Sequence, residues 1–564
     1  AEVSDNTNPQ SRLSVWLSWG VLLAGLATIF VSAYMVITTY SPLPHWDEWA
    51  LFDHLANGGW SLSWLWAQHN EHRILTTKLF FLLDVKLFHG TQKFLLASIF
   101  LIQLLQATLL SWSLRALGGM RGALWRTGTG LIAYCIFCPT QYENLIWGFQ
   151  VQFVLTSAMA TLSILGLLLY CRESRTQFLV VCVVAATVAT WSLANGMLLW
   201  PLLIAAALFL RMKRSVWGIL LAFGILNLGP YFFHYHRPSA QSGPVSLLSV
   251  VRMAEYVVVY FGSSWVRHSS SGIALIAGAI GICAALFMIA RGLLARGSQR
   301  FLECELSFLM LMVLATAAIT SSGRLHLGLE QATASRYQTF ALVFWCCLGL
   351  LLFLHVAANQ TLFQVTAAAL LAVMLGCATQ LRLPLIDAQW HQMQLKIISL
   401  TLLTGVHDPA VLADAYPDPQ AVLHDATYMK QHQLSIFAGK QYEELGRPID
   451  SQYHLTAGSG CVGAISSSQV LPSGSGQGLR LTGYAWDRKI QQSAADVVVA
   501  ENGRIVGFGT SVVIPFFRTR PKPHEDPSRF GWVAFARNSS SQLQLYAVTG
   551  EDQSNACPFA VTAP

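Results

Sequence analysis

Two carboxylates stand side by side just after the first long apolar run. The stretch SPLPHWDEWA, residues 41–50, sets Asp47 and Glu48 between Trp46 and Trp49. An unpaired charge inside a bilayer costs on the order of 3 kcal/mol, so acids close to one are kept for a task. The task this pair suits is proton transfer, because a carboxylate within hydrogen-bond reach of a hydroxyl can take its proton. A structural alternative stands beside it: Asp47 would cap a helix starting at Glu48, with Pro42 and Pro44 ahead of it.

A second cluster follows in QHNEHR, residues 68–73, which holds His69, Glu71, His72 and Arg73. It has three readings. His69 and His72, three apart with Glu71 between them, have the spacing of a metal site on a helix. Arg73 with one histidine suits an anionic headgroup, since a guanidinium grips phosphate with two parallel hydrogen bonds. A solvated turn is the third. Phosphate contact is favoured over metal, and activity is expected without an added divalent cation. Further along, Arg324, His326, Glu330 and Arg336 share one polar loop, where the arginines either bind an anion or pair with Glu330, Asp47 or Glu48. Tyr142, Glu143, Asn144, Trp147 and Gln150 mix hydrogen-bonding groups with an aromatic face, as sugar sites do, although amides also pack helices. Asn195, in the short ANG turn, either closes that turn or faces a cavity, and His234, His236 and Arg237 read as surface residues.

These groups are positioned by a chain that is 54% hydrophobic and 11% charged over 564 residues, with mean hydropathy +0.48. That is the composition of a polytopic membrane protein. Apolar runs of about 17–25 residues, the length that crosses a bilayer, mark some eleven spans. They fall near 15–39, 93–114, 127–141, 150–170, 177–193, 197–210, 216–233, 272–290, 304–320, 337–356 and 362–380, the third, fifth and sixth of these being short, while 247–265 is a further span or an interfacial helix. The first run shows no small-residue cleavage site and is expected as a retained span. With the N-terminus cytoplasmic, every second loop is basic (Arg115, Arg121 and Arg126; Arg172 and Arg175; Arg211, Lys213 and Arg214; Arg291, Arg296 and Arg300), as the positive-inside rule requires. The net charge of +7 is therefore a topology signal and calls for no nucleic acid. The segment RILTTKLFFLLDVKLF is one membrane width long but carries Lys78, Asp84 and Lys86. Counting it as a span would invert every later loop, so it is read as lying along the membrane.

The expected organisation is a transmembrane domain over 1–381 whose first outer loop is 40–92, a helical outer linker region over 382–450, and an extracytoplasmic β-sandwich over 451–564. In the last part, short strand-like pieces alternate with Gly, Ser and Asn turns. Tyr484, Trp486 and Trp532 there either stack on sugar rings or fill the core. Of the 11 cysteines, Cys461 and Cys557 alone lie in this domain, leaving a bridge and a pair of free thiols both open.

No P-loop, Rossmann glycine pattern, HExxH or nucleophile elbow is present. The acidic HWDEW directly after the first span, together with QHNEHR, QYENLIWGFQVQF, SLANG and SRY, is similar to motifs of the GT-C superfamily of membrane glycosyltransferases. The resemblance covers essentially the first 381 residues, and is to bacterial members that modify O-antigen and other cell-surface glycans. Many members carry Asp-Asp or Glu-Asp where this chain has Asp47-Glu48, which leaves the choice between the two open.

The resemblance implies an inverting transferase of the bacterial inner membrane, with its C-terminal domain periplasmic. It would move a sugar from a polyprenyl phosphate, such as undecaprenyl phosphate, to a cell-envelope glycan or glycolipid. Asp47 would be the base with Glu48 as its alternate. Arg73, His72, Arg324, His326 and Arg336 would bind the donor phosphate; His69, Glu71, Tyr142, Glu143, Asn144, Trp147, Gln150 and Asn195 would bind sugar or acceptor. No cofactor is implied, and the partners are the lipid-linked donor, the glycan acceptor and membrane lipids. Two rivals remain: a lipid-to-lipid aminosugar transferase acting on lipid A or a similar acceptor, and a flippase for a lipid-linked glycan. Transport sites lie near the bilayer midplane on broken helices, where this sequence places almost no acids.

Overall fold

The computed structural model describes residues 9–236, 247–266, 271–356, 359–456, 460–474, 476–487, 492–513, 531–537, 543–549 and 554–559. Apolar runs become helices α1 Pro9–Thr38, α2 Asp47–Gly58, α3 Leu62–Trp66, α4 Leu75–Phe88, α5 Lys93–Ala116, α6 Gly122–Ile136, α7 Tyr142–Ile146, α8 Val151–Glu173, α9 Thr176–Thr190 and α10 Leu199–Phe209. They continue as α11 Arg214–Phe232, α12 Leu247–Gly262, α13 Ser271–Leu294, α14 Arg300–Arg324, α15 Gln338–Val356, α16 Gln360–Ala378, α17 Arg382–Thr404, α18 Pro409–Ala415, α19 Pro419–Gln431 and α20 Lys440–Glu444.

Eight segments among the described residues are helical, long and apolar enough to cross a membrane. The expected spans at 127–141, 177–193 and 197–210 are helices too, but α6 and α9 have 15 residues and α10 has 11. At about 1.5 Å per residue they reach roughly 16–22 Å, short of the ~30 Å hydrocarbon layer. Helix length by itself accounts for eight crossings among the described residues, and these shorter apolar helices lie beside them. α12, at 16 residues, is short in the same way.

The chain divides into two compact units, the first made of 1–38, 61–80 and 95–384, the second of 39–60, 81–94 and 385–564. The expected boundary at 381 lies close to the cut at 384, but two pieces of the first loop group with the C-terminal region, so that region is not built from the C-terminal residues alone.

In the first unit α8, α14 and α15 are central. Of their apolar windows 78%, 72% and 72% are buried, against 33%, 28% and 33% for α1, α11 and α13. The outer helices expose Leu23, Phe30, Ile37, Ile225, Leu226, Ile276, Ile280 and Phe287, an apolar surface that suits lipid and not water. α1 and α6 touch backbone to backbone: a Cβ on Gly25 would lie 2.2 Å from the Gly130 carbonyl oxygen, so only glycine permits the approach.

In the second unit the strands are β1 His454–Leu455, β2 Cys461–Ser473, β3 Gly476–Asp487, β4 Gln492–Ser493, β5 Asp496–Glu501, β6 Arg504–Ser511, β7 Gly531–Arg537, β8 Leu543–Thr549 and β9 Asn555–Phe559. They form one sheet in the order β1-β9-β8-β5-β6-β7-β3-β2, with β4 paired to β3. Where a two-sheet sandwich is expected, a single sheet curls until β2, at one end, meets β9, next to the other end. The Cys461–Cys557 disulfide joins β2 to β9, with Cα atoms 5.9 Å apart. Alternation explains the enclosed core: Leu479, Leu481 and Ala485 of β3 face inward with Ala534 and Ala536 of β7, Val497 and Val499 of β5, and Phe559 of β9. The outward residues Val498, Phe508 and Phe535 are buried as well, and α17 is fastened to the sheet through Lys396 Nζ, 2.5 Å from Asp496 Oδ1.

Candidate functional site

In the first unit QHNEHR is a tight hairpin and not a helix. His69 and His72 exchange both backbone hydrogen bonds, at 2.8 and 2.9 Å, across a turn in which Asn70 takes φ +48°. Asparagine tolerates that left-handed conformation because its side chain is short and polar. Residues directly opposite in such a pair project to the same side. The metal reading placed His69 and His72 on one face of a helix; the structure sets them opposite each other across a hairpin instead.

The hairpin is stitched to the end of α11. Gln68 bonds the backbone of His236 twice, through Nε2 to its carbonyl at 2.7 Å and through Oε1 from its N–H at 3.0 Å. The Tyr235 hydroxyl donates to the Glu71 carbonyl at 3.1 Å. Arg73 is 3% exposed, and its guanidinium donates to the carbonyls of Tyr231, Trp66 and Phe233 at 2.7, 2.5 and 2.5 Å. Its donors are thus turned to the interior and engaged by backbone, which makes Arg73 a positioning residue and removes it from the phosphate contacts expected of it. Lys78 acts alike: buried on α4, it donates to the carbonyls of Trp64 and Ala67 at the end of α3, both at 2.7 Å. Burial, and then the charge of Arg73, lower its pKa to about 8.

Glu71 is the hub. Its carboxylate accepts from Arg324, at the end of α14, and lies 3.4 Å from His72 Nε2. Burial pushes the Glu71 pKa up, but the hydrogen bond and charge of His72 and the charge of Arg324 outweigh it and hold the group near 2. Arg324 remains partly exposed, with its side chain 32% accessible. A guanidinium has five N–H donors, so the ion pair leaves it capacity for a further anion. His326 follows on the turn Leu325–Leu327 and is exposed.

Arg336 sits on the turn Ser335–Tyr337, half-buried, with Nη2 3.3 Å from Gln331 Oε1. That turn is held by the 139–153 segment. Asn144 Nδ2 donates to the Arg336 carbonyl and to Thr339 Oγ1, both at 2.7 Å, and the Glu143 N–H donates to Ser335 Oγ. Asn144 is fully buried, so it positions Arg336 and offers nothing to a sugar. Gln150, Asn195 and Trp147 are buried too, at 2%, 7% and 7% exposure; Tyr142 and Glu143 are half-buried. The His69 ring lies 5.4 Å from Phe149, which stacks on Trp147 at 5.7 Å. Residues that sequence reasoning did not single out complete the surroundings. Tyr260 stacks on Tyr337 at 5.5 Å, and Tyr256 and Tyr260 are fully buried. Arg237 lies outside the described residues, and His234 and His236 end the α11 extension.

Asp47 and Glu48 belong to the second unit. Asp47 is the first residue of α2, half-exposed, and the cap position is held by Trp46 with no side-chain bond; the capping role does not fall to Asp47. Glu48 is 1% exposed, and its Oε2 accepts from the His45 N–H and from Gln92 Nε2, both at 3.1 Å. The pair is therefore divided by burial into an accessible acid and one that ties the loop together. Asp84 is structural in the same way, accepting from the N–H groups of Gln92 and Phe94 at the start of α5, at 3.0 and 3.2 Å. Lys86 lies over the Trp60 ring at 4.6 Å.

In the curled sheet Trp532 is 2% exposed and lies against Phe559 at 6.4 Å; a Cβ on Gly483 would meet its ring. Trp486 is 7% exposed. Both are buried, whereas Tyr484 is half-buried. Compared with protein-family models, curated proteins and solved structures, the chain matches none.

Proposed function

We propose that the chain is a membrane glycosyltransferase that moves a sugar from a polyprenyl-phosphate donor to a cell-envelope glycan or glycolipid, with inversion at the anomeric carbon. One observation carries the reading. In a chain with eight helices long enough to span a bilayer among its described residues, a hairpin carboxylate, Glu71, holds the partly exposed Arg324, whose remaining donors suit a lipid phosphate. Arg336, set in place by Asn144, supplies a second cation.

Such a transfer asks little of the protein besides placement and charge. The acceptor oxygen attacks the anomeric carbon while the bond from that carbon to the phosphate oxygen breaks. The bonding pair leaves with polyprenyl phosphate, a stable anion that needs no proton. Arg324 and Arg336 offset the charge that develops there. The acceptor hydroxyl must also lose its proton; the sequence resemblance offers Asp47 or Glu48 as the base, and Asp47 is the more accessible of the two carboxylates. The reading places the chain in a bacterial inner membrane with the second unit outside, in keeping with its disulfide.

The test is sugar transfer by the purified protein in detergent, with a panel of synthetic polyprenyl-phosphate sugars and envelope glycan fractions. Asp47→Asn is expected to lower turnover by about 10²–10⁴-fold while the donor still binds. Unchanged turnover would remove Asp47 as the base. No turnover by the wild type with any donor, alongside movement of lipid-linked glycan in proteoliposomes, would replace the transferase with a flippase.

A further inference from the structure

Within the second unit α2 packs on α19, and three metal-ligating side chains converge where they meet. Asp53 comes from the middle of α2, His424 and Asp425 from α19, and one ligand atom of each lies within 4.8 Å of the other two. The Asp425 side chain is completely buried. Its Oδ1 lies 3.2 Å from His424 Nδ1, while its Oδ2 has no hydrogen-bond partner among the described residues. The neighbouring acid Asp418 is occupied otherwise, capping α19 through the N–H groups of Gln420 and Ala421.

A carboxylate sealed from water with one oxygen unanswered is unfavourable, and a second carboxylate beside it adds repulsion. Either a proton or a cation relieves both. The imidazole decides between them. It brings a neutral nitrogen donor to the same point, which a shared proton between carboxylates does not need and a transition metal does. His424 and Asp53 are accessible enough to admit an ion, the His424 side chain being 53% exposed.

We propose that Asp53, His424 and Asp425 bind one divalent transition-metal ion, of the Zn²⁺ or Mn²⁺ type, which fastens α2 to α19. One nitrogen and two oxygens match these ions better than Mg²⁺ or Ca²⁺, which take oxygen ligands. Water fills the remaining positions. Asp47 lies six residues ahead of Asp53 on the same helix, about 9 Å along its axis, so the ion holds the helix that carries Asp47 without entering the transfer chemistry. The inference stands on these helices alone and does not depend on the transferase reading.

The full-length, tag-free protein in detergent would be stripped with chelator and titrated calorimetrically with ZnCl₂ and with MnCl₂, with metal content measured after dialysis. One ion per chain is expected, together with a higher melting temperature. His424→Ala and Asp425→Asn should each weaken binding by about tenfold or more and abolish the thermal shift. Absence of a stoichiometric ion in the wild type, or unchanged affinity in His424→Ala, would overturn the proposal. If Asp425→Asn does not fold, the exposed His424 decides the matter by itself. The readout is metal binding, so loss of transfer activity and loss of this site are separate results.

Discussion

Glu71 sets the acid limit of its hairpin. Its folded pKa, near 2, is below the ordinary 4.5, so the contribution is present above pH 4.5 and is lost as pH falls from there toward 2. Melting temperatures of wild type and Glu71→Gln, compared from pH 5 down to 3, should therefore converge on acidification; parallel curves would show that Glu71 is not held by Arg324 and His72. Residue types near this point were legible in the sequence, but their assignments were not. Arg73 and Arg324 look equivalent in one dimension, both being cations in polar outer segments. What separates them is tertiary: the carbonyls of Tyr231 and Phe233 lie some 160 residues away from Arg73 and absorb its donors. Asn144 likewise turns on Arg336, 192 residues further on. Asp53 stood out from neither composition nor spacing, because its partners are on α19.

Elements were more readable than contacts. Helices sit where apolar runs predict them, and RILTTKLFFLLDVKLF forms α4 over Leu75–Phe88. The three charges that interrupt it have local work: Lys78 closes α3, Asp84 starts α5 and Lys86 covers Trp60. Asp84→Ala would leave two buried N–H groups at the head of α5 without their acceptor. It should cost about 1–2 kcal/mol, read as a lower melting temperature, whereas an unchanged value would mean that the chain rebuilds the turn. Helices α6, α9 and α10 are short, as are the apolar runs they come from.

That residues 39–60 and 81–94 leave their chain neighbours to join 385–564 was invisible in the sequence. The β-rich character of the C-terminal part was legible from alternation; its closure into a single curl was not, because the approach of β2 to β9 is not written in either strand. The disulfide across that closure spans 96 residues. A loop of that size contributes about 4–5 kcal/mol on chain-entropy grounds. Cys461→Ser should accordingly shift denaturant unfolding of the second unit to markedly lower concentration, and an unshifted curve would assign its stability to the core alone. The same bridge changes what a protease can release. Any single cut between Cys461 and Cys557 leaves both fragments covalently joined, so a nicked chain runs as one species on a gel until a reductant is added.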